Sequence, residues 1–134
     1  MSEVEQNKAL IDRFMEAAWQ GQSGTEEFYT SDAATHLLNS PSDVPDMAQT
    51  AAYLRAAMPD LSLHITMTFG QEDRVMQHYT VTGTHTGAPL FNFPPSGRAL
   101  TIAGENIFRI TGAKIVERWS ILDVANAFQQ LSAQ

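Results

Sequence analysis

Leu61-Ser62-Leu63-His64-Ile65-Thr66-Met67-Thr68-Phe69 places an apolar residue at every second position. Side chains two apart share one face of a strand, so this stretch predicts a strand with Leu61, Leu63, Ile65, Met67 and Phe69 on its buried side. Upstream the period is that of a helix. Ser2 and Glu5 have the spacing of a capping box, and Ala9, Leu10, Phe14, Ala17 and Ala18 follow at helical intervals until Gly21 and Gly24. Thr25 to Tyr29 suits a turn or two of helix, and Asp32 to Leu38 has too weak a pattern to classify. Pro41, Asp43, Pro45 and Asp46 read as a loop and a helix start, after which Met47, Ala51, Leu54 and Met58 repeat on one face up to Pro59-Asp60.

Downstream the period stays at two. Gln71-Glu72-Asp73 turns the chain into a strand from Arg74 to His85, whose better apolar parity is Val75, Gln77, Tyr79, Val81, Gly83 and His85. A proline-rich connection, Thr86 to Gly97, leads to a strand near Leu100 to Ile110 with Ile102, Gly104, Asn106, Phe108 and Ile110 on one face. After the turn Thr111-Gly112-Ala113, the last strand runs Ile115-Val116-Glu117-Arg118-Trp119-Ser120-Ile121-Leu122-Asp123. Its parity groups Ile115, Glu117, Trp119, Ile121 and Asp123, and a short helix from Val124 to Leu131 closes the chain. Helices first and four strands afterwards predict an α+β domain, with a mostly antiparallel sheet whose twist curls it around the helices.

Composition narrows the partners. The chain has 134 residues, 43% of them hydrophobic, enough for a single domain spanning 1–134. A formal charge of −7, with eight scattered Lys and Arg, argues against nucleic acid or an anionic membrane as partner. There is no cysteine, which removes disulfides and thiolate chemistry. The acidic start, Met1 to Lys8, has no apolar leader, and no run of eighteen apolar residues occurs, so a soluble cytoplasmic protein is expected.

Gly83-Thr84-His85-Thr86-Gly87, Pro94-Pro95-Ser96-Gly97-Arg98 and Glu117-Arg118-Trp119-Ser120-Ile121-Leu122-Asp123, in that order, resemble the SnoaL-like polyketide cyclases of the nuclear transport factor 2-like superfamily. The resemblance extends over nearly the whole chain and is strongest from 59 to 123. It implies a curved sheet and helices around a cone-shaped pocket, a homodimer, a small apolar ligand, and catalysis without metal or organic cofactor. It also implies that Asp123, matching an aspartate on the last strand of the characterised cyclases, is the acid/base. His36 matches a place where relatives often carry a pocket-lining side chain. Two positions depart from the pattern: Arg118 stands where relatives commonly have histidine in Glu-His-Trp, and Asn106 where an acidic residue or histidine is frequent.

Each candidate has a plainer reading beside the chemical one. Asp123 is either a carboxylate raised in pKa by an apolar pocket, suited to moving protons, or the N-cap of the helix beginning at Val124. Trp119 and Tyr79 are walls for a flat ligand or ordinary core aromatics. His85 either polarises a carbonyl or orients Asp123, or else is held by a backbone hydrogen bond; His64 and His78 fall on the polar faces. Asn106 offers hydrogen bonds to a carbonyl oxygen. No spacing of His, Asp and Glu suggests a metal site, Ser96 sits in no nucleophile elbow, and there is no phosphate-binding glycine loop. The expected activity is an intramolecular aldol-type cyclisation, or related proton transfer, on an apolar carbonyl compound. The rivals are an isomerase or hydrolase on the same fold and a non-catalytic protein that binds an apolar ligand or dimerises. Val116, Leu122, Met76 and Ile107 among threonines on the outward parities support pairing of two copies.

Overall fold

The computed structural model describes residues 2–38 and 46–133; Pro41, Asp43 and Pro45 of the expected loop lie outside the described residues. Helix α1 (Glu3–Trp19) starts where the Ser2 hydroxyl accepts from the Glu5 N–H at 3.1 Å, and it buries Leu10, Ile11, Phe14, Met15 and Ala18. Gly21 and Gly24, at φ 74° and 84°, turn the chain away from the helix in the left-handed region that favours glycine. A 3₁₀ turn, Thr25–Phe28, then leads into strand β1 (Tyr29–Leu37). Helix α2 (Met47–Ala57) has the reciprocal capping box of Asp46 and Gln49. Strands β2 (Ser62–Gln71), β3 (Arg74–Thr84), β4 (Ala99–Thr111) and β5 (Lys114–Leu122) precede helix α3 (Val124–Ser132). None of the described helices is long and apolar enough to cross a membrane.

The strands form one curved sheet in the order β1-β5-β4-β3-β2, with β1 parallel to β5 and the other pairs antiparallel. The α+β class is as expected, but the sheet has five strands rather than four. Strand β1 carries no clear period because it is an edge strand whose pairing with β5 is interrupted between Tyr29 and Ala34. On β3 and β4 the expected faces hold: Val75, Tyr79 and Val81 lie beside Phe108, Gly104 and Ile102 on the inner, helix-covered side. There Phe14 meets Phe28, Tyr29 and Phe108 edge-on at centroid distances of 5.5, 5.3 and 5.7 Å.

Two β-bulges overturn the expected faces elsewhere. A bulge sets two residues against one, so every side chain beyond it changes sides. On β2 the ladder passes from Ile65↔Tyr79 to Met67↔His78, leaving Thr66 extra; its hydroxyl donates to the His78 carbonyl at 2.9 Å. Met67 and Phe69, expected inside, are therefore outside and exposed. On β5 the ladder passes from Ile115↔Ile110 to Glu117↔Arg109, leaving Val116 extra. Glu117, Trp119 and Ile121 then lie with Arg109, Ile107 and Glu105 on the outer face, while Arg118, Ser120 and Leu122 join Phe108, Asn106 and Gly104 inside. Trp119 thus shares the outer face with His64 and His78, and Leu122 does not belong to the outward set.

The long connection from β3 to β4 is docked along α2. Gly87 and Ala88 donate their N–H groups to the carbonyls of Ala57 and Ala56 at 3.0 and 2.9 Å, capping the end of that helix. A side chain at Gly87 would place Cβ 2.1 Å from the Ala56 oxygen, so the close approach requires glycine. Further on, Leu90 and Phe93 exchange backbone hydrogen bonds around a tight turn in which Phe91 and Asn92 have φ of 48° and 69°. The Phe91 N–H donates to the Tyr53 hydroxyl of α2 at 2.7 Å.

Candidate functional site

Between α2, the end of β1, the inner faces of β3 and β5, the start of α3 and the Phe91 turn lies a cavity of about 510 Å³. Its size is that of small-molecule sites generally. Met47, Leu54, Leu37, Leu122 and Phe91 supply apolar walls, Tyr53 and Gln49 stand at the rim, and Tyr79, Arg118 and Ser120 supply the polar groups. Tyr79 and Arg118 are each 1% exposed.

Arg118 reaches this place because the bulge at Val116 turns it inward. Burial pulls its guanidinium below the ordinary value, opposed by Tyr29, Tyr79 and Asp46. An arginine nonetheless keeps its charge in proteins. Burial also pushes the phenols of Tyr79 and Tyr29 up to about 12, with the Arg118 charge working in the other direction. Both phenols are therefore protonated at neutral pH and available as donors. Tyr79 lies flat across β4 at Gly104, where an added Cβ would sit 2.5 Å from the ring Cζ and hydroxyl. On its other side the ring meets Trp19, centroids 5.7 Å apart.

Of the expected site residues, Tyr79 alone lines this cavity. Asn106 is fully buried on β4 beneath the wall, its Nδ2 3.9 Å from the Met15 sulfur and its amide lowering the Tyr79 pKa as a hydrogen-bond partner. His85 is buried just beyond β3, where its Nε2 is 3.0 Å from the Ala88 carbonyl and its Nδ1 3.2 Å from the Ser96 hydroxyl. A carbonyl oxygen only accepts, so Nε2 carries a hydrogen, while Nδ1 shares a hydrogen bond with the Ser96 hydroxyl. The His85 carbonyl also accepts from the Ser96 and Gly97 N–H groups, so this residue ties the two ends of the proline-rich connection together. The backbone-held reading of His85 is the one the geometry matches.

Asp123 is exposed and caps α3, its Oδ1 accepting from the Asn126 N–H at 3.0 Å; it is not among the residues lining the cavity. The bulge accounts for this too, since the strand ends at Leu122 with the inward parity already used. Trp119 and His36 form a separate group on the outer face. Their rings stack with centroids 5.6 Å apart, and the Arg74 guanidinium lies 5.8 Å from the Trp119 ring centroid. His36 Nε2 is 2.8 Å from Glu117 Oε2, and Arg109 Nε donates to Oε1 at 3.1 Å. These hydrogen bonds, that from His36 first, hold the Glu117 carboxyl below its ordinary value. Sequence parity missed Arg118; the one signal for it was the adjacent apolar pair Ile115-Val116, where strict alternation breaks.

An apolar chamber with an arginine and a tyrosine at its base suits a flat ligand with an oxygen to be polarised. Among solved structures, AclR, a candidate hydroxylase from Streptomyces galilaeus, is similar with a TM-score of 0.84 and 23% identity over 98% of this chain and 84% of its own. A candidate SnoaL-like polyketide cyclase from Jannaschia sp. CCS1 gives 0.80 and 20% over 100% and 97%. IdmH, a candidate polyketide cyclase from Streptomyces antibioticus, gives 0.80 and 25% over 96% and 99%. No curated protein matches the sequence. The sequence pattern of the SnoaL-like polyketide cyclases matches residues 9–131, and the chain belongs to that family.

Proposed function

We propose that this protein binds an apolar, polyketide-like carbonyl compound in the cavity above Tyr79 and Arg118 and promotes an intramolecular aldol closure there. In such a closure the substrate's α-proton passes to solvent, the carbanion carbon attacks a second carbonyl carbon, and the resulting alkoxide takes a proton back from solvent. Product and substrate are isomers. The observation that carries this reading is that a buried cation, Arg118, and a protonated phenol, Tyr79, line the same largely apolar chamber. Preorganised donors of this kind stabilise an oxyanion more than a neutral carbonyl, which is how they lower the barrier. The reading gives Arg118 and Tyr79 the electrophilic role and leaves Asp123 as a helix cap.

A comparison of Arg118→Met, Tyr79→Phe and Asp123→Asn with the wild type tests it, on an aryl polyketide ester carrying a 1,3-dicarbonyl, with the product read as a same-mass species of changed chromatographic retention. Loss of turnover in the first two and its retention in the third is expected. Loss in Asp123→Asn alone would return the acid/base role to that carboxylate. A second reading, binding without turnover, is favoured by one observation: the described residues lining the cavity include no carboxylate or imidazole. In addition, exposed Met67, Phe69, Ile107 and Ile121 on the outer sheet face support pairing of two copies through that face. Light scattering at micromolar concentration decides between a dimer and a monomer.

A further inference from the structure

The strongest unspent feature of the cavity is its charge. Arg118 puts a full positive charge into a chamber walled by Met47, Leu54, Leu37, Leu122 and Phe91, where the low local dielectric strengthens any interaction with an ion. The groups whose charge bears on it come from three elements: Tyr29 on β1, Tyr79 on β3 and Asp46 at the start of α2. The two phenols, raised to about 12, bring no negative charge at neutral pH. Asp46 is exposed, and its carboxylate already accepts from the Gln49 N–H at 2.8 Å as the cap of α2. The Asp46 carboxylate is negative, but at its exposed position solvent screens it, so the buried Arg118 guanidinium is the dominant charge at the base of the cavity. A guanidinium has five N–H donors, enough to serve a protein acceptor and a ligand oxygen together.

We propose that the cavity takes its ligand as an anion, with an enolate or phenolate oxygen held by Arg118 and the Tyr79 hydroxyl. The ligand's proton leaves to solvent, and the electron pair stays on that oxygen. This rests on the cavity being the ligand site, as proposed above, and adds the ligand's chemical class: a conjugated, weakly acidic carbonyl or phenol rather than a neutral ketone. Such a ligand needs no carboxylate of the protein to remove its proton inside the chamber, because the bound cation makes it a stronger acid. Geometry favours one oxygen over a bulky anion, since Arg118 is the one cation among the described lining residues and Met47, Leu54, Leu37, Leu122 and Phe91 make most of the walls apolar.

The test uses the whole chain and two probes of the same outline, 2-naphthol and 2-methylnaphthalene, with naphthol ionisation read by absorbance and fluorescence across pH. Bound 2-naphthol is expected to ionise at least one pH unit lower than in solution, which is about a tenfold preference for the naphtholate. Arg118→Met is expected to abolish the preference while 2-methylnaphthalene still binds, and Arg118→Lys to keep part of it. If the wild type binds both probes and naphthol ionises at its solution pH or higher, the anion proposal is overturned and the cavity reading stands. If neither probe binds, both are overturned. Should Arg118→Met not fold, Arg118→Lys and Tyr79→Phe decide: unchanged ionisation in both refutes the proposal.

Discussion

Gly104→Ala probes the cavity floor with a single methyl group. A Cβ at this position would lie 2.5 Å from both Cζ and the hydroxyl of Tyr79 and 3.0 Å from Cε1, against an ordinary contact of 3.4 Å or more. The ring must therefore shift by about 1 Å, a distance over which packing contacts pass from optimal to repulsive. It cannot shift freely, because it is 1% exposed and Trp19 lies against it. Overpacking of this kind costs about 1–3 kcal/mol, so the melting temperature is expected to fall by roughly 3–5 °C for each kcal/mol in a chain of this length. Urea denaturation of the wild type, Gly104→Ala, Tyr79→Leu and the double variant gives the coupling between the two sites. Leucine removes the ring atoms that clash, so Gly104→Ala is expected to cost at least about 1 kcal/mol less in the Tyr79→Leu background, within the range of residues in direct contact. An equal cost in both backgrounds would mean that the Tyr79 ring does not lie across Gly104, and the floor as described would be wrong.

Asp123→Ala is expected to destabilise by about 1 kcal/mol, the usual worth of an N-cap, whereas Asp123→Asn, which still caps, stays near the wild type; equal losses in both would exclude the cap. Trp119→Phe is expected to leave 2-methylnaphthalene binding unchanged because Trp119 lies on the outer face, and a large loss of affinity would restore it to the pocket wall. The Asp60 carboxyl is held below its ordinary value by hydrogen bonds from the Thr84 N–H and hydroxyl at 2.7 and 2.9 Å. Because the folded-state value is the lower one, this contribution is present above the ordinary carboxylate range and lost as pH falls through the depressed value. Asp60→Asn should accordingly flatten the acid limb of a stability-versus-pH curve, and an unaltered limb would refute the linkage.

What could be read from the sequence was whatever depends on period and caps alone. The helices from Glu3 and Met47 announced themselves through Ser2, Asp46 and their apolar spacing, and the strands over 62–71, 74–84 and 99–111 through alternation. The inner faces of β3 and β4 followed correctly because their ladder has no interruption. The far half of β2 and most of β5 were assigned to the wrong side because one inserted residue, Thr66 or Val116, changes nothing in composition while reversing every later side chain. The reversal on β5 moved Trp119 out of the candidate site and brought Arg118 into it. For Asp123 both readings required the same residue at the same place; in the structure its carboxylate accepts from Asn126 and it is not among the residues lining the cavity. Strand β1 was missed because its pairing with β5, rather than any period of its own, gives it its shape.

The docking of the β3–β4 connection onto α2 has a consequence for motion. Gly87, Ala88 and Phe91 all donate to α2, at Ala57, Ala56 and Tyr53, so the Phe91 turn and α2, two walls of the cavity, are fastened together. Their amide hydrogens are held by the same set of bonds, and hydrogen exchange is expected to show them protected together with the last turns of α2. A ligand entering the chamber therefore meets a turn and a helix tied to each other by three hydrogen bonds.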